Sequence, residues 1–197
     1  WNVNVIKVDL NNQYTELKTL FSKNGISSTD KVSNMVKDSG ALAGINADFF
    51  NYKPIPNPLG TAINDGEIIS SPISKEYNPT PTFVLDKDKN PYITFLDRRM
   101  AVKSSASSEE IILSAINKAS VNYGEVILYN KHWGKNSIGN TLHPDLIEVV
   151  VQDNVVTDVR IGQEPVAIPE NGYIIVGRDR VQERLLNNFH VGDTVEL

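Results

Sequence analysis

Apolar and polar residues alternate along residues 3–10 (VNVIKVDL), the pattern of a strand with one buried face, and the run breaks at Asn11-Asn12. Residues 33–37 have helical composition, with Ser33 as the expected cap and Gly40 as the expected terminator. Residues 41–46 (ALAGIN) read as a small-residue buried strand. Phe83-Val84-Leu85 and Tyr92-Ile93-Thr94-Phe95 flank a turn over 86–91 and predict a hairpin. Further strands are expected at 110–116, 125–129, 173–176 and 194–197, and a short helix at 180–187. The clearest local signal is the pair of β-branched runs at 147–152 and 155–161. They are joined by Asp153-Asn154, residues that tolerate the positive φ of a tight hairpin turn. The pattern predicts an α+β fold, predominantly β sheet with a few short helices. A Ser-rich, weakly patterned stretch at 98–108 divides the chain into 1–103 and a mostly β part, 104–197.

Composition narrows the class. With 197 residues, 40% hydrophobic and 22% charged, the chain can bury a core. A net charge of −5 without a basic cluster disfavours nucleic acid, and no apolar run reaches membrane-spanning length, so neither nucleic-acid binding nor membrane insertion is expected. The absence of cysteine removes disulfides, thiolate catalysis and Cys-ligated zinc.

Candidate chemistry gathers around residues 44–68. There an apolar segment delivers Asn46 and Asp48 into a Pro-rich loop ending at Gly60, and a turn then carries Asp65 and Glu67. The bland reading is equally available: Asp65-Gly66 is an ordinary hairpin turn, Phe49 and Phe50 are core, and Asn46 bonds backbone. Trp133 in NKHWG could stack on a sugar ring, although packing is the commoner use of such a residue. His143 and His190 stand apart from any carboxylate cluster, and no metal or other cofactor is expected. Asp86-Lys87-Asp88-Lys89-Asn90 imitates the start of a calcium loop, but Pro91 stands where Gly is needed, which favours a plain turn. Neither a phosphate-cradling Gly loop nor a nucleophile elbow near 104–108 is present.

The succession ALAGINADFFN, PIPNPLG and INDGEIISSP resembles the opening signature of the phosphodiester glycosidase family, to which the uncovering enzyme (N-acetylglucosamine-1-phosphodiester α-N-acetylglucosaminidase) belongs. LYNKHWG, IPENGYIIVG and HVGDTVEL follow in similar order, so the resemblance covers nearly the whole chain. It implies hydrolysis of a sugar 1-phosphodiester at or outside the cell surface, releasing the sugar and leaving a phosphomonoester. Asn46, Asp48, Asp65 and Glu67 are the catalytic candidates, and Asn46, Gly60 and Trp133 the substrate-binding ones. The family's later Arg-Thr pair and its Asp-Gly-rich-Ser segment do not occur in this sequence, so the chain is expected to be the family's N-terminal portion, inactive alone. The competing expectation is a non-catalytic module that binds cell-wall glycan; a third, a structural assembly domain, would expose a large apolar patch.

Overall fold

The computed structural model describes residues 1–72, 80–96, 99–119 and 121–197. In chain order it contains α1 (Val32–Ser39), β1 (Phe50–Asn51), β2 (Asn57–Pro58), β3 (Ala62–Asn64), β4 (Glu67–Ser70), β5 (Pro81–Leu85), β6 (Pro91–Phe95) and β7 (Ala101–Ser104). There follow β8 (Glu110–Ile112), β9 (Ala115–Ile116), β10 (Val126–Asn130), β11 (Ile147–Gln152), β12 (Val155–Ile161), β13 (Gly172–Gly177), α2 (Arg180–Asn188) and β14 (Val195–Glu196). The fold is α+β and predominantly sheet.

The organising layer is a five-stranded sheet in the order β12-β11-β13-β10-β9, antiparallel except for the parallel pair β9 and β10. Alternate residues of its inner strands serve two cores. Val126, Leu128, Ile147, Val149, Val151 and Ile175 pack with Val102, Ile111 and with Val181, Leu185 and Phe189 at α2. On the opposite face Ile127, Tyr129, Val150, Ile174 and Val176 pack with Trp133, Leu146, Ile26 and Ile69. Burial on both faces explains why these strands are nearly continuous apolar runs.

The first of those cores is closed by a three-stranded sheet, β14-β7-β8. Residues 110–116, expected as one strand, divide between two sheets. Leu113 donates its amide to Met100 O (2.9 Å) and Ser114 donates to Val126 O (2.7 Å), so the chain changes sheets there. Of the expected boundary segment 98–108, Arg98 lies outside the described residues, and β7 runs through residues 103 and 104.

The β11–β12 hairpin forms as expected, with Asp153 at φ 50° and Asn154 at φ 62°. The β5–β6 hairpin also forms. The Asp86 carboxylate accepts the amides of Asp88 and Asn90, each at 2.9 Å, which makes this segment a turn. Register places Pro81, Phe83, Leu85, Pro91, Ile93 and Phe95 on one face of that hairpin, with Phe83, Ile93 and Phe95 exposed.

Four local expectations fail in the N-terminal half. Residues 3–10 and 41–46 form no strand, and Val3, Val5, Leu42 and Ile45 are exposed, because no neighbouring strand offers them a ladder. Helix α1 starts from Lys31 rather than from a Ser33 cap, and it ends as expected at Gly40 in the left-handed region, φ 71°. Gly44 passes so close to α1 that a Cβ there would lie 2.6 Å from Val36 Cγ2, which accounts for its small side chain. Phe49 and Phe50 are exposed instead of belonging to the core.

Candidate active site

The β3–β4 hairpin turns at Asp65 (φ 50°) and Gly66 (φ 82°), which sets Glu67 at the start of β4. Glu67 Oε1 lies 3.1 Å from Lys131 Nζ and 3.1 Å from His132 Nε2. Both residues follow directly on β10. His132 is fixed on three sides: Phe21 meets its ring edge-on at 5.6 Å, its amide donates to Asn130 Oδ1 at 3.1 Å, and its carbonyl accepts from Ile26 at 2.9 Å. Desolvation would raise the Glu67 pKa, but the bonds and charges of Lys131 and His132 outweigh it and hold the carboxyl below its ordinary value. Glu67 is therefore a carboxylate at neutral pH, half open to solvent and set against an imidazole.

Beneath this rim lies a buried polar network. Asn117, in a left-handed conformation (φ 56°), donates to Ile69 O (2.7 Å) and Asn130 Oδ1 (2.6 Å), while Asn130 Nδ2 donates to Ile68 O (3.1 Å). The next residue, Lys118, is buried to 4% exposure. Its ammonium donates to Ser70 Oγ (2.9 Å), to Leu59 O (3.4 Å) and to Pro58 O. Ser70 Oγ in turn donates to Gly60 O (3.4 Å), and the Gly60 amide donates to Asp48 Oδ2 (2.9 Å). Asp48 Oδ1 accepts the Phe49 amide at 2.7 Å. A buried ammonium is costly unless its donors are matched, and here carbonyls and a hydroxyl meet it. The result is a chain of bonds from the sheet through Lys118 and Gly60 to Asp48. A Cβ on Gly60 would stand 3.0 Å from Asp48 Oδ2, so glycine is what lets the carboxylate reach this amide.

The sequence candidates thus separate. Asp48 and Gly60 meet directly, closing the loop between them. Glu67 meets the Lys131 ammonium and the His132 imidazole. Asp65 is exposed and faces Lys18 at 3.8 Å. Asn46 is exposed and makes no side-chain hydrogen bond among the described residues. Trp133, expected to stack on a sugar, is 2% exposed and packs on Tyr129 with ring centroids 4.7 Å apart, so it is a core residue. Sequence reasoning passed over Lys118, Asn117, Asn130 and His132. The available signal was a lysine inside the otherwise small and apolar run SAINKAS. Among the described residues no three His, Asp or Glu side chains come together as metal ligands.

No protein-family model and no curated protein matches the chain. Solved structures share its fold, two of them as follows. One is a hypothetical protein from Synechocystis, at a TM-score of 0.73 and 22% identity over 91% of this chain and 32% of that one. The other is named "Putative exported protein", from Burkholderia pseudomallei K96243, at 0.74 and 17% identity over 96% of this chain and 43% of that one. The chain therefore spans well under half of either structure, and what they share with it is the fold.

Proposed function

We propose that this chain carries part of the site of a hydrolase acting on sugar 1-phosphodiesters outside the cell. The observation that supports the reading is the Glu67 carboxylate set 3.1 Å from both His132 and Lys131. In this reading a water gives its oxygen to the anomeric carbon and a proton to the His132 imidazole. Glu67 holds the resulting imidazolium. The bond from the anomeric carbon to the bridging oxygen breaks, and the phosphomonoester leaves as an anion that needs little acid assistance. Lys131 offsets its charge, and Asn46, with its amide open to solvent, hydrogen-bonds sugar hydroxyls or phosphate oxygens. The name of the Burkholderia protein agrees with an extracellular setting. The competing glycan-binding reading loses its stacking platform, since Trp133 is buried.

The test is release of sugar from an N-acetylglucosamine 1-phosphodiester, by this chain and by any longer natural polypeptide that contains it. Hydrolysis should fall at least about 100-fold in Glu67→Gln and in His132→Gln, and should also fall in Asn46→Ala. Hydrolysis unchanged in the Glu67 and His132 variants, or absent from every form, overturns the proposal.

A further inference from the structure

A second cationic cluster stands at the other end of β10, five residues of strand from His132, a span of about 16 Å. The Arg178 guanidinium lies over the Tyr123 ring, its Cζ 4.2 Å from the centroid. Arg178 Nη1 is 2.9 Å from His143 Nδ1. Since arginine can only donate, His143 Nδ1 is the acceptor, and the ring keeps its proton on Nε2. Burial and the neighbouring Arg178 both lower the His143 pKa, which maintains the neutral ring. The Arg180 guanidinium lies against the same turn: a Cβ on Gly124 (φ 76°) would stand 2.5 Å from both Arg180 Nε and Nη2.

What distinguishes this cluster is that its two arginines are not ion-paired, although Asp145 acts on His143 and Glu109 and Glu183 line the same surface as Arg180. Asp145 and Asp179 are close in sequence, yet among the described residues no carboxylate comes within ion-pair distance of Arg178 or Arg180. Arg184, one turn along α2 from Arg180, by contrast reaches Glu109 at 2.5 Å. Arg178 has its Nε buried without any partner, and the hydrogen bond to His143 is the only one its side chain makes among the described residues. With Nε buried and Nη1 held by His143, Arg178 is oriented by an aromatic face and an imidazole and keeps its Nη2 donors for an oxyanion, to which Arg180 adds a second guanidinium.

We propose that Arg178 and Arg180, with His143 and Tyr123 positioning the former, form a binding site for a phosphate group, separate from the Glu67 rim. The phosphate belongs either to free inorganic phosphate or to a sugar phosphate.

Amide NMR of the intact chain at constant ionic strength tests it, with titration of inorganic phosphate and, separately, of glucose 1-phosphate. The expected result is a saturable shift of the Tyr123, Gly124 and His143 signals. The apparent affinity should fall at least about tenfold in Arg178→Gln and in Arg180→Gln, and remain unchanged in Arg184→Gln. Saturation by inorganic phosphate alone identifies the free ion; saturation by glucose 1-phosphate, at equal or lower concentration, identifies the ester. No saturation by either, or equal affinity in both site variants, overturns the proposal. Should Arg178→Gln lose its amide dispersion, the Arg180→Gln comparison alone decides.

Discussion

Glu67 ties the rim of the candidate site to pH in one direction. Its folded-state pKa lies below the unfolded value, since Lys131 and His132 outweigh the cost of burial. The stability it contributes is fully present above the unfolded carboxylate pKa and is lost as pH falls through the folded one. With the pair half exposed, that contribution is below about 1 kcal/mol. Urea unfolding of the native chain and of Glu67→Gln should therefore differ slightly at pH 7, and the difference should shrink as the pH falls below the ordinary carboxylate range; a difference that grows on acidification contradicts the assignment. Glu148 works in the opposite sense. Burial raises its pKa despite Ser137, Arg160 and the Gly139 amide, so ionising it costs the folded state as pH rises. Glu67 was legible in the sequence because it follows a recognisable turn. Its partners were not, because Lys131 and His132 lie 64 and 65 positions away, and only the docking of β4 on the large sheet brings them together.

Turns and hairpins are the elements whose rules are local, and they were read correctly. Asp153 and Asn154 both hold positive φ, so replacing Asn154 with Val forces a β-branched residue into the left-handed region at a cost of about 1–2 kcal/mol. Asn154→Gly should stay within a few tenths of a kcal/mol of the native chain. Midpoints of urea unfolding distinguish these outcomes, and an Asn154→Val midpoint equal to the native one would rule out this turn geometry. Residues 3–10 and 41–46 carry equally good strand patterns and form none. A strand requires a partner, and alternation within eight residues says nothing about whether one exists. The same limit hid the three-stranded sheet, in which Val195 pairs with Ser104 across 91 positions, and the change of sheet at Leu113 and Ser114.

At the scale of the whole molecule, apolar content and β-branched runs were enough to announce a sheet protein with a real core. They could not announce which half would hold it. Most of the buried residues follow residue 100, and the first half attaches through specific bonds that include Ile26 and Ser27 to the carbonyls of His132 and Trp133, Ser71 to Ile116, Asn117 and Asn130 to the carbonyls of Ile69 and Ile68, Glu67 to Lys131 and His132, and the Lys118 ammonium. Lys118 is the buried lysine among the described residues, and its amine is enclosed by the segment that the sequence marked as the signature. That enclosure makes it a natural clock. An amine-directed acylating reagent should modify the surface lysines rapidly and Lys118 only when residues 58–70 lift from the sheet. Peptide mass spectrometry over a labelling time course should thus show one delayed lysine, whose rate reports how often the two halves part. Early labelling of Lys118 would mean that the attachment is open most of the time.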